Sequence, residues 1–129
     1  MTEDRPQTIL IVDDDAQIRK LLRVILTREG YAIEEAPDGH AALETFQRQP
    51  ADLIITDLIM PRKEGIETIM DLRKLKPAVK NIAISGGGQL DPQTYLIFAS
   101  GLGAAVTMSK PIDTGRLVAT VKTLLHTSK

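Results

Sequence analysis

The chain is predicted to fold as one α/β domain, a doubly wound (βα)5 unit around a five-stranded parallel sheet. Three observations predict it: short apolar runs alternate with helical patterns, several of those runs are apolar without interruption, and charged or hydroxyl residues stand just past the ends of four of them. Such alternation favours parallel strands joined by right-handed crossovers, whose helices cover both faces of the sheet. Strands buried on both faces read as continuous apolar runs. At 129 residues the chain is long enough for one substantial core and short for two.

The first strand, residues 8–12, is followed by a helix over 16–29 that sets Ile18, Leu21, Leu22, Ile25 and Leu26 on one stripe. Arg19, Lys20, Arg23 and Arg28 mostly take its wet face, and Gly30 stops it. Residues 31–35 are more polar and suit an edge strand. A second helix begins near Asp38-Gly39, turns Ala42, Leu43 and Phe46 inward and ends before Pro50. Strand three, Leu53-Ile54-Ile55-Thr56, leads to a helix carrying Ile66, Ile69, Met70, Leu72 and Leu75, which ends before Pro77. After strand four, residues 81–85, Asp91 as N-cap and Pro92 in the first turn open a helix through Tyr95, Leu96, Phe98 and Ala99. Strand five, residues 105–109, precedes a last helix with Leu117, Val118, Val121, Leu124 and Leu125 behind an Asp113 cap.

Composition narrows the function. Apolar residues make up 43% and charged residues 26%, as in an ordinary soluble globular domain. The absence of cysteine excludes thiolate nucleophiles and cysteine-based metal sites. A net charge of -1 with no Trp offers neither the basic stripe nor the stacking aromatics of a nucleic-acid binder, so no direct nucleic-acid contact is expected. No apolar stretch is long enough for a membrane span, and residues 1–7 are polar, unlike a secretory signal, so a cytoplasmic location is expected.

The chemistry lies at the strand ends. Asp13 and Asp14 follow the first run, Asp57 the third, Ser85 closes the fourth and Lys110 the fifth. In a parallel sheet these ends share one edge, where open α/β folds bind ligands. Asp15 is read as a helix cap. Asp13 and Asp14 exceed what one cap requires, and carboxylates gathered near Asp57 repel one another unless a cation relieves them. Mg2+ suits such a set, being held by one or two carboxylates plus a phosphate. An Asp carboxylate is a known nucleophile toward phosphoryl groups, Lys110 is a compact cation for a phosphoryl oxygen, and Ser85 is a hydrogen-bond donor for another. A cis Lys110-Pro111 bond is one way to aim the ammonium back over the sheet. Gly86-Gly87-Gly88 lacks the spacing of a nucleotide-binding loop, and His40 and His126 are assigned to solvent.

From about Thr8 to Leu125 these residues resemble the receiver domain of bacterial two-component response regulators. Ile9-Leu10-Ile11-Val12-Asp13-Asp14-Asp15 is similar to the family's first strand and acidic pair, and Asp57-Leu58-Ile59-Met60-Pro61 with Gly65 to its phosphoacceptor segment. Ser85-Gly86 matches its hydroxyl residue and the small residue after it, and Lys110-Pro111 its lysine and cis-proline. The resemblance implies a flavodoxin-like sheet of order 2-1-3-4-5, with residues 8–126 as a single receiver domain between tails over 1–7 and 127–129. It implies that Asp57 accepts a phosphoryl group from a sensor histidine kinase or phosphotransfer protein. Mg2+ is then held by Asp14, Asp57 and the backbone carbonyl of Ile59, with Asp13 acting through water, and Ser85 and Lys110 bind the phosphoryl oxygens.

The protein is accordingly expected to be a signalling domain rather than an enzyme, catalysing at most its own phosphorylation and dephosphorylation. It is expected to switch a surface for an unknown downstream protein, as a monomer or weak homodimer. The ending at Lys129 is expected either of a stand-alone member that signals by binding a protein or of a receiver excised from a longer chain. Three positions depart from the family: Thr107 stands where an aromatic is usual in strand five, Ile59 is apolar where many relatives are polar, and three glycines follow Ser85. Two other readings share the strand-end aspartates, an Mg2+-dependent phosphohydrolase and an interaction module that is never phosphorylated. A haloacid-dehalogenase-like hydrolase would carry a second Asp at position 59, where this chain has Ile59.

Overall fold

A computed structural model describes residues 6–57, 64–85 and 106–126. Strands β1 (Thr8–Val12), β2 (Ala32–Ala36), β3 (Leu53–Asp57), β4 (Lys80–Ser85) and β5 (Val106–Ser109) form one parallel sheet in the order β2-β1-β3-β4-β5, as expected. Among the described residues the helices are α1 (Ala16–Arg28), α2 (Gly39–Arg48), α3 (Glu64–Leu75) and α4 (Thr114–His126). The helix expected from Pro92, the triple glycine and Ile59 lie outside the described residues.

The unbroken apolar runs have a simple cause. Along β1, Ile9 and Ile11 face a core completed by Leu22 and Leu26 of α1 and Leu117, Val121 and Leu125 of α4. The alternate residues Leu10 and Val12 meet a second core with Ala42 and Phe46 of α2 and Leu72 of α3. β3 divides in the same way, Leu53 and Ile55 to the first core and Ile54 to the second. Each such side chain, once fully buried, contributes roughly 1.5–3 kcal/mol, so both faces must be covered for the sheet to persist.

The caps set the helix starts. Asp15 accepts from the N–H groups of Gln17 and Ile18, Asp38 from Ala41 and Asp113 from Arg116. At the other end of α1, Gly30 adopts φ 96° and its N–H donates to the Thr27 carbonyl, while the Tyr31 N–H reaches back to Leu26. That is a Schellman closure, which only glycine enters without steric cost. Tyr31 is thereby part of the helix end, so β2 starts one residue later than expected, at Ala32.

The expected stripes are too broad. Leu21 of α1 is 44% exposed, and Met70 and Leu75 of α3 are 45% and 50% exposed. A helix lying on a sheet buries a narrow band. Leu21 stands one residue, about 100° of rotation, from buried Leu22 and instead shares a face with exposed Val24.

Where α2 begins, it closely approaches α3. Gly39 is buried, and a Cβ there would run into Oγ1 of Thr68, itself 4% exposed. Gly39→Ala is therefore expected to destabilise the domain by about 1–3 kcal/mol, read as a lower urea midpoint at unchanged slope. A midpoint equal to wild type would show that Thr68 rotates away freely.

Candidate functional site

From β1 the chain crosses to β2 on one side and then to β3 on the other, so a crevice opens between the carboxyl ends of β1 and β3. Asp13 directly follows β1 and its N–H extends the ladder by donating to the Ala36 carbonyl at 3.1 Å. Asp57 is the last residue of β3 and pairs in register with Ile84 of β4. Both carboxylates are buried, whereas Asp14 is exposed. Oxygens of Asp13, Asp14 and Asp57 lie within 4.8 Å of one another.

Lys110 completes the cluster from the far side. It follows β5, which β4 separates from β3, and two strand spacings come to about 10 Å. Its long side chain crosses that gap: Nζ donates to Asp57 Oδ2 at 3.2 Å and lies 3.5 Å from Asp13 Oδ2. The Lys110-Pro111 bond is cis. Ser85 ends β4 beside Ser109 of β5, one residue beyond the level of Asp57.

The charges disturb one another. Burial pushes the Asp13 carboxyl above its ordinary value; the Asp15 N–H, donating to Oδ1 at 2.8 Å, opposes this, and the neighbouring Asp57 charge reinforces it. Lys110 pulls Asp13 the other way without reversing the rise. Burial also works against the Lys110 ammonium, but its hydrogen bond to Asp57 and the charges of Asp13 and Asp57 outweigh it, so Lys110 is raised. Its stabilising contribution is thus complete below the ordinary lysine value and lost only as pH climbs past the raised one. Three carboxylates against one ammonium leave an excess of negative charge, and an oxygen-only donor set of this kind fits Mg2+.

Asp13, Asp14, Asp57 and Lys110 are thus brought together, Ser85 is placed by register on the adjoining strand, and Ile59 lies outside the described residues. The Asp15 carboxylate is used in capping α1, as expected. One neighbour was not anticipated. Arg19, expected mostly in water, is 18% exposed, and its Nη1 donates to the Asp13 carbonyl at 2.6 Å. Its position one turn into α1, opposite the acidic end of a strand predicted at the edge, was the available signal.

Comparison with known proteins agrees with this geometry. The family model described as the response regulator receiver domain matches residues 9–122. The transcriptional regulatory protein ResD of Bacillus subtilis is 37% identical over 126 residues, 98% of this chain but 51% of ResD. The chemotaxis protein CheY of Thermotoga maritima is 36% identical over 85% of this chain and 90% of its own length. The chain therefore spans about half of one relative and nearly all of the other. Among solved structures, a CheY-like response regulator receiver domain protein from Methanospirillum hungatei superposes with a TM-score of 0.81 at 30% identity, covering 94% of each chain. With the sheet order, the acidic crevice and the family match all in agreement, this chain belongs to the response regulator receiver domain family of two-component systems.

Proposed function

We propose that the chain is a phosphoacceptor switch acting in the cytoplasm, in which Asp57 takes a phosphoryl group from the phosphohistidine of a sensor kinase or phosphotransfer protein. The observation that carries this reading is the convergence of Asp13, Asp14, Asp57 and Lys110 at one sheet edge. A carboxylate oxygen of Asp57 forms the new P–O bond, the P–N bond of the donor breaks, and the released imidazole nitrogen takes a proton from solvent. Asp14, Asp57 and the Ile59 carbonyl would hold Mg2+, with Asp13 acting through water. When bound, Mg2+ supplies positive charge against the phosphoryl oxygens.

Lys110 is already at the oxygen it would serve. Once Asp57 is phosphorylated to the acyl phosphate its charge passes to the phosphoryl group, and the ammonium 3.2 Å from Oδ2 follows that charge outward. Ser85 donates its hydroxyl to a second phosphoryl oxygen. Both residues stand at the ends of β4 and β5, so phosphorylation alters the surface at that side of the sheet and hence the affinity for a downstream protein.

The test is incubation with Mg2+ and acetyl phosphate, followed by intact mass. A single base-labile phosphoryl adduct, absent when the metal is chelated, is expected. Mg2+ binding without any adduct would favour an interaction module, and steady hydrolysis of phosphate esters a phosphohydrolase.

A further inference from the structure

The backbone around the acidic crevice is fastened from β2. The Asp13 carbonyl accepts from Arg19 Nη1, and Arg19 Nε is held by Glu35 Oε1 at 3.2 Å. The other oxygen of Glu35 takes Arg23 Nη1 at 2.5 Å. Glu35 reaches this place because β2 lies beside β1 with Glu35 in register with Ile11. Arg19 and Glu35 are 18% and 23% exposed, sheltered enough for the geometry to persist, whereas Arg23 is 56% exposed.

We infer that Arg19 is a positioning residue of the metal site: by holding the Asp13 carbonyl it aims Asp14 at Asp13 and Asp57. The inference rests on the reading of the crevice as a cation-dependent phosphoacceptor site. The peptide group is planar, so the Asp13 carbonyl and the Asp14 N–H turn together, and fixing the first fixes the direction in which Asp14 leaves the chain. Asp14 is exposed, so packing does little to hold it. The guanidinium suits the task because its rigid fork serves acceptors at two strand ends at once, which one ammonium on a flexible stem does not. Glu35 also lies against the Arg19 guanidinium and offsets part of its charge, a carboxylate it shares with exposed Arg23.

The test is calorimetric titration of Mg2+ into wild type, Arg19→Ala, Arg19→Lys and Arg23→Ala, each checked for folding by circular dichroism. Removing a group that orients a metal ligand commonly weakens binding 10–100-fold, so Arg19→Ala is expected to raise the Mg2+ Kd by about tenfold, with Arg19→Lys between it and wild type. Arg23→Ala, which removes only an exposed contact to Glu35, is expected to stay within about twofold of wild type. Should the alanine variant fail to fold, the lysine variant carries the comparison. An unchanged Kd in the folded Arg19 variants would overturn the inference, as would equal losses in Arg19→Ala and Arg23→Ala, which would signal general loosening of α1 against β2. A wild type that binds no Mg2+ would instead refute the reading of the crevice itself.

Discussion

Asp57→Asn is expected to lose phosphoryl labelling completely while retaining its fold. The amide has the shape of the carboxylate but neither its charge nor a nucleophilic oxygen of comparable strength, so no acyl phosphate can form at that position. Its neighbours are poorly placed to substitute. Asp13 has one oxygen engaged by the Asp15 N–H and the other facing Lys110, and Asp14 stands at the exposed rim. The fold should survive because Lys110 keeps Asp13 as a partner and the two apolar cores are untouched. Intact mass after acetyl phosphate treatment, with circular dichroism on the same sample, reads both halves. Labelling of Asp57→Asn at the wild-type rate would move the acceptor to another residue and overturn the assignment.

The parts of this site legible in the sequence were those set by the chain's own direction. A short run such as Ile9-Leu10-Ile11-Val12, set between turn residues and alternating with helical patterns, reads as a strand covered on both faces, and a parallel strand delivers whatever follows it to one edge. Asp13, Asp14, Asp57 and Lys110 could therefore be assembled from three separate runs. Arg19 could not, because periodicity marks it as polar without revealing that Glu35 lies across from it. That contact depends on the register of β2 against β1. The same limit explains Leu21, Met70 and Leu75: hydropathy records what a side chain prefers, whereas the line of contact between helix and sheet decides which residues obtain it.

Asp13→Asn should raise the stability of the metal-free protein and at the same time remove most of its response to Mg2+. Burial and the nearby Asp57 charge hold the Asp13 carboxyl above its ordinary value, so in the window between the unfolded and folded values the native state binds more protons than the unfolded one. Stability at this residue therefore falls as pH rises through that window, and the deficit persists at neutral pH. An Asn can keep the acceptor for the Asp15 N–H without the charge. The metal-free melting temperature of the variant should thus lie a few degrees above wild type near pH 7, with the gap closing as pH falls toward and below the ordinary carboxylate value. Mg2+ reverses the comparison, because its binding requires ionised carboxylates: it should stabilise wild type increasingly as pH rises from 4 to 7 and the variant much less. Thermal melts of both proteins across that range, with and without Mg2+, measure all four branches. A metal-free variant less stable than wild type at neutral pH would show that the Asp13–Lys110 attraction outweighs the cost of burying the carboxylate, and the charge balance drawn for the crevice would be wrong.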